Sequence, residues 1–437
     1  MSLPQPDADL TATRARSGRG LEGTVKFDTG DTAWVLISAG LVMFMTPGLA
    51  LFYGGMVRAK NVLGMLMQNF FALGIVSVIW AVVGYSLAFG GTRSIVGNLD
   101  FAFMKDVDRL FPPGVDLTVP PLLYSGYQLM FAIITPALIT GAIADRMRFK
   151  AWVWFIGLWA VLVYSPVAHW VFAPEGWLFK EGALDFAGGA VVHINAGIAA
   201  LAAVLVVGRR RGWPQHPMPP HSLPLTLIGT GILWFGWFGF NAGSALSGSE
   251  LAVQALVNTH MAAAAAMCSW LVVERIRSGH ATTLGAASGA VAGLVAITPC
   301  AGFVGTMNAI YIGAIAGAVC MVAVSWKQRF GYDDSLDVVG VHLVGGLVGT
   351  LLLGLFADVA INSAGRNGVL YGGGWGLFGD QVLAAVSVMV FSFVVTALIL
   401  LVLKAVLPGG LRVDADDEEQ GLDVTQHSET AYSYDRV

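Results

Sequence analysis

The chain has 437 residues, 56% of them hydrophobic and 12% charged, with a mean hydropathy of +0.70 and a formal net charge of −4. Soluble domains carry about 25% charged residues, so this chain has too little polar surface to coat a water-soluble globule of its size. Lipid must solvate much of it, and no basic patch of the nucleic-acid type interrupts the apolar runs.

Residues 1–30 are polar, contain no apolar run and do not read as a signal peptide. Segments that reach the roughly 20 apolar residues of a spanning helix then follow over 32–56, 62–89, 121–143, 152–172, 187–207, 223–245, 251–273, 283–302, 304–326, 337–357 and 380–407. An acidic tail begins after Pro408-Gly409-Gly410. The expected organisation is a polar N-terminal tail (1–30), a transmembrane domain (31–408) and a cytoplasmic tail (409–437). The fold class is an all-α polytopic membrane protein of eleven spanning helices. The 55 glycines are nearly twice the usual share of about 7%, and small residues let membrane helices approach closely. The three cysteines, Cys268, Cys300 and Cys320, lie in apolar stretches without metal-type spacing. They read as small core residues rather than a disulfide framework, and no cofactor or metal motif is present.

Orientation follows the basic loops. One set of loops holds Arg58, Lys60, Arg146, Arg148, Lys150, Arg209, Arg210, Arg211, Arg275, Arg277, Lys327 and Arg329, whereas the alternate set holds only Arg93, Lys105, Arg109, Lys180 and Arg366. The richer set belongs in the cytoplasm, which puts the N-terminus outside and the C-terminus inside. Against this, Arg14, Arg16, Arg19 and Lys26 sit in the tail that has to cross. An odd span count suggests a five-plus-five inverted repeat with one peripheral helix, a plan that places the solute site at the repeat interface. A short echo accompanies it: Asp185, Gly188 and Val192-His193 in span five, and Asp337, Gly340 and Val341-His342 in span ten.

Ionisable side chains inside spans usually face a cavity or a partner, which singles out His193 and His342. At about 1.5 Å per residue, His193 lies about 12 Å below Asp185, and His342 lies about 7.5 Å past Asp337 from the other side. By that ruler the two depths differ by about 10 Å, comparable to one turn of error at each helix start, so the two rings could meet. Two readings stand: separate core histidines on backbone carbonyls, or a neutral pair sharing one N–H···N bond. His169 and His260 keep the core reading. Asp185 reads as an N-cap, as a carboxylate drawing cations to the outer mouth, or as both. Tyr127 to Phe131 and Trp237 to Ser244 put aromatic rings and a hydroxyl at outer helix ends, either as an interfacial belt or as a cage for an ammonium ion.

Together the motifs resemble the ammonium transporter family (Amt, Mep and Rhesus proteins). The stretches that carry the resemblance are Met45-Thr46-Pro47-Gly48 with Leu51 to Gly55, Gly182 to Gly189 running to Val192-His193-Ile194-Asn195, Gly236 to Ser244, Gly340-Val341-His342 and Gly421-Leu422-Asp423-Val424. The resemblance implies a homotrimer with one pore per subunit, in which His193 and His342 are the twin pore histidines. Phe131 and Phe240 become the stacked gate, Ser244 the hydroxyl contact of an external ammonium site, and Asp185 the aspartate beside it. Trp237 and Thr298 match positions along the path. Gly421, Leu422, Asp423 and Val424 resemble a cytoplasmic regulatory tail, and many bacterial relatives bind a PII signalling protein at that face. One departure is Phe172, in His169-Trp170-Val171-Phe172, where well-known members complete the cage with tryptophan, a better cation–π partner.

The expected function is therefore ammonium/ammonia transport across a bacterial plasma membrane. Ammonium is gathered and deprotonated outside, and ammonia is conducted past the histidines, with or without separate proton transfer. The alternative is an ammonium sensor on the same fold. No His-Glu-x-x-His, Gly-x-Ser-x-Gly or P-loop pattern points to an enzyme.

Overall fold

The computed structural model describes residues 26–432, so most of the expected N-terminal tail, including Arg14, Arg16 and Arg19, lies outside the described residues. Within them the chain is helical, apart from one isolated antiparallel bridge between Met147 and Arg412. In chain order the long apolar helices are α1 (Thr29–Met56), α2 (Ala59–Phe89), α3 (Pro121–Ile143), α4 (Phe149–Glu181), α5 (Gly189–Val207), α6 (Leu223–Ala245) and α7 (Glu250–Ser278). After the shorter α8 (Thr283–Ile297) come α9 (Thr306–Phe330), α10 (Val339–Phe356) and α11 (Gly376–Val406). Ten of them are long and apolar enough to cross a membrane, so this is a multi-pass membrane protein.

The expected span over 283–302 differs. Helix α8 stops at Ile297 after 15 residues, about 22 Å by helix rise. Pro299 has no N–H to continue the ladder, and the chain turns through i→i−3 bonds from Thr298 N to Val295 O (3.2 Å) and Cys300 N to Ile297 O (2.9 Å). The Pro299 carbonyl accepts instead from the Phe186 N–H at 3.1 Å, tying the end of α8 to the loop before α5.

Helix starts are set locally. Asp28 accepts from Asp31 N at 2.8 Å to cap α1, and Thr282 accepts from Gly285 N at 2.8 Å to cap α8. Small residues set the packing of α7 against α9: a Cβ added at Gly313 would stand 2.2 Å from the Ala262 carbonyl oxygen. Cys300 and Cys320 are buried as expected, but Cys268 is exposed, because its place on α7 faces away from the bundle.

Wider π-turns interrupt the ladders at Trp80–Gly84, Ala160–Tyr164, Gly189–Ile194, Phe238–Ala242 and Val339–Leu343. Each adds a residue to the turn and leaves backbone groups out of the α register, a device common at functional sites. His193, Phe240 and His342 all sit in such turns.

The C-terminal tail folds back onto the loops. Arg148 N donates to Leu411 O at 2.9 Å and Val413 N to Arg146 O at 3.0 Å. Two short helices follow, α12 (Ala415–Gln420) and α13 (Leu422–His427), joined at Gly421, whose φ of 113° suits glycine. Asp423 accepts from Gly64 N at 2.8 Å, and Leu422 N donates to Asn61 Oδ1 at 2.8 Å. Asn61 in turn donates to Asp145, which pairs with Arg58 (3.1 Å) and Arg210 (3.4 Å), and Arg210 pairs with Asp333 at 2.8 Å.

Candidate functional site

A vestibule of about 160 Å³ opens where α3 begins and α4 and α6 end, lined by Tyr124, Tyr127, Gln128, Phe131, Val171, Phe172, Phe179, Asp185, Phe186, Ser244 and Leu246. Aromatic faces dominate it, and Asp185 is the one charged side chain among these lining residues. Its carboxylate faces the start of α5: Oδ1 accepts from Gly188 N and Gly189 N at 2.7 Å each, and Oδ2 from Ala190 N at 2.8 Å and Val191 N at 3.2 Å. Burial pushes this carboxyl above its usual range while the four N–H bonds pull it back. Capping and vestibule lining thus coincide in one side chain.

Phe131 and Phe240 close the vestibule floor with ring centroids 4.4 Å apart. Below them Phe240 stacks on His193 at 6.1 Å, Trp237 stacks on His193 at 5.5 Å, and His193 stacks on His342 at 5.4 Å. The two Nδ1 atoms are 3.3 Å apart, so one ring donates to the other, and His193 Nε2 has no hydrogen-bond partner among the described residues. A cavity of about 10 Å³ adjoins the pair, lined by Met45, Leu49, Phe52, Ile134, Leu138, Val192, Leu233, Trp237, Phe240 and Val291 besides the histidines. Among these lining side chains only the imidazoles and the Trp237 indole carry a polar atom that forms hydrogen bonds strongly, so a guest here meets hydrocarbon and nitrogen.

Several sequence expectations change. Thr298 does not line this cavity: its hydroxyl accepts from Trp237 Nε1 at 2.9 Å and donates to Leu294 O at 2.7 Å, holding the indole in place. Asp334, and not the Asp337 of the echo, caps α10. Asp334 Oδ2 accepts from Val339 N at 2.7 Å, while Asp337 takes a positive φ of 63° and pairs with Lys327 at 2.6 Å. Asp334 precedes His342 by eight residues, the same spacing as Asp185 to His193, so the echo was read three residues late. His169 is a buried core histidine, its ring nitrogens 2.8 Å from Ala88 O and 2.6 Å from Arg93 O. His260 is not: it is exposed on α7 and packs on Trp234 at 5.4 Å. Tyr124, Gln128, Phe179 and Phe186 were missed as lining residues, although Tyr124 and Gln128 share the α3 face of Phe131. Gly421, Leu422, Asp423 and Val424 lie far from this cavity, in the docked tail.

The Ammonium Transporter Family profile matches residues 33–432. The chain is 50% identical over 435 residues to an ammonium transporter of Mycobacterium tuberculosis, covering 93% of this chain and 91% of that one. It is 49% identical over 405 residues to one of Bacillus subtilis, covering 92% and 98%. Among solved structures it is similar to Saccharomyces cerevisiae Mep2, with TM-score 0.86, 36% identity and coverage of 94% and 93%. It is also similar to a structure described as a Sensor Amt Protein, with TM-score 0.82, 30% identity and coverage of 91% and 98%.

Proposed function

The chain belongs to the ammonium transporter family, and from that premise we propose that it takes ammonium at the vestibule, where water accepts its proton, and passes ammonia along His193 and His342, with or without separate transfer of the proton. Ammonium would be held by the faces of Phe131, Phe240 and Phe172 and by the Ser244 hydroxyl, with Asp185 making the mouth attractive to cations. A cation entering a dry passage has its pKa depressed, because the neutral form escapes the burial cost. Ammonium can take that route by giving up a proton. Potassium, of similar size, has no neutral form and is refused.

The observation that carries this reading is the stacked column of Phe240, Trp237, His193 and His342 around a cavity sized for one small guest. The test is uptake and current in proteoliposomes with ammonium, methylammonium and potassium side by side. Replacing both histidines with alanine is expected to cut ammonium flux or admit potassium; unchanged flux together with unchanged exclusion of potassium refutes the reading.

The likeness to a Sensor Amt Protein favours a second reading, in which the same site senses ammonium and signals through the tail. A pure sensor gives no flux in the same liposomes.

The proposed assembly rests on the likeness to the family. The reading comprises a homotrimer in a bacterial plasma membrane, eleven helices as a five-plus-five inverted repeat with α11 peripheral, the N-terminus outside and the C-terminus inside. The docked Gly421–Val424 segment would lie at the face where a PII protein plugs the pore. Co-purification after an ammonium pulse checks that partner, and its absence counts against it.

A further inference from the structure

The vestibule and the chamber below it differ in size by more than tenfold, about 160 Å³ against about 10 Å³. By this measure one water needs about 10–15 Å³, so the chamber takes one small guest and the vestibule has room for on the order of ten. Between them stand Phe131 and Phe240, with ring centroids 4.4 Å apart. Ammonium alone does not require so large an entrance.

Six side chains lining the vestibule are rings: Tyr124, Tyr127, Phe131, Phe172, Phe179 and Phe186. Tyr124, Tyr127, Phe131 and Phe186 pack on other rings. Phe172 and Phe179 meet no other ring among the described residues, and Phe179 is 47% exposed. The hydrogen-bonding groups around the space are largely committed. Both Asp185 oxygens accept backbone N–H groups, the Tyr127 hydroxyl lies on the Gly239 and Phe240 carbonyls, and Ser244 donates to Phe240 O. Besides the Ser244 lone pairs, what remains to attract a guest is a carboxylate charge and ring π-density. Neither requires an N–H on the guest.

We infer that the vestibule also binds quaternary and other bulky alkylammonium ions, which it holds without passing, so that they block the pore from outside. This rests on the reading of the vestibule as the ammonium entrance. Aromatic cages hold such cations well, because their spread charge is weakly hydrated and leaves water at a lower cost than a compact ion does. A nitrogen bearing four methyl groups has no proton to release, and the chamber takes a guest no larger than a water. Neither step of the proposed passage is open to it.

The probe is tetramethylammonium chloride, added outside proteoliposomes that take up methylammonium. Sodium chloride and tert-butanol, an uncharged molecule of similar bulk, serve as controls at the same concentration. At about 10 mM the cation is expected to raise the half-saturation for methylammonium about tenfold and to leave the maximal rate unchanged, as a millimolar competitor does. Radiolabelled tetramethylammonium itself is expected to stay outside. Phe179→Leu keeps apolar bulk and removes the ring, and is expected to weaken the inhibition about fivefold, equal to about 1 kcal/mol; Phe172→Leu is expected to do the same. Where a variant does not transport, calorimetric titration of tetramethylammonium into the purified protein reads the same ratio. Inhibition no greater than that of sodium chloride, equal inhibition by tert-butanol, uptake of tetramethylammonium, or unchanged inhibition in both leucine variants each overturns the inference. Wild-type liposomes without saturable methylammonium uptake would instead overturn the ammonium reading beneath it, and the titration of wild-type protein then decides whether the bulky cation binds.

Discussion

His193 and His342 each sit one residue before the end of a π-turn and eight residues after an aspartate that caps it, and each is followed by a 13-residue α-helix, Asn195–Val207 or Val344–Phe356. Their electrical settings are opposite. Asp185 stands alone as the charge of an open aromatic vestibule, balanced only by four backbone N–H groups. Asp334 is fully buried beside the Lys327–Asp337 pair, next in sequence to Asp333 with its Arg210 partner. The same local construction serves an open aromatic vestibule on one side and a charge-paired structural joint on the other. What separates them is whether cationic side chains reach the carboxylate.

The largest break in that comparison is expected from Asp185→Ala. Four N–H groups lose a charged acceptor at about 1.5–3 kcal/mol for such bonds, and the vestibule loses its only charge. Ammonium uptake is expected to fall by at least about 100-fold, whereas Asp334→Asn leaves the half-saturation of outside uptake unchanged. A raised half-saturation in Asp334→Asn would show that the two carboxylates are not divided in this way.

Next come the rings themselves. His193 stacks on Trp237, Phe240 and His342, whereas His342 has His193 as its ring partner. His193→Ala is therefore expected to lower ammonium flux about tenfold and His342→Ala about threefold, or roughly 1.4 and 0.7 kcal/mol, measured on the same liposome preparation.

A pH experiment sharpens the inner half. Burial, with Asp337 nearby, pushes the Asp334 carboxyl up from 3.8 to about 6. Between those values the folded protein holds a proton that the unfolded chain has released, so this group makes the fold less stable as pH rises through about 4 to 6. Thermal midpoints in detergent are expected to lose that component in Asp334→Asn.

The smallest effect is expected from Thr298→Val, which removes the 2.9 Å bond to Trp237 Nε1. Unfolding should cost about 1 kcal/mol less, with the half-saturation for ammonium unmoved.

Much of this was legible in the sequence because lipid imposes a simple rule: long apolar runs became helices, and the two intramembrane histidines do meet. The departures have local causes. The stop of α8 is written in Pro299, but its consequence, a carbonyl freed for Phe186, depends on a contact distant in sequence. The Asp337 reading failed because a glycine three residues later imitates the Asp185 pattern. The chain in fact reverses through a positive φ at Asp337, which hands the cap to Asp334. Thr298 could be matched to a position but not to a direction. Tyr124 and Gln128 share the α3 face of Phe131 at i, i+4 and i+7, a spacing that could have found them, whereas Phe179 and Phe186 lie in other segments that meet this face only in three dimensions.

The chamber beside the two imidazoles measures about 10 Å³, close to the space one water needs. It is a single berth. On the proposed route, solutes arriving from opposite faces cannot pass one another there, and loading the far side of the membrane is expected to slow the stream coming from the near side.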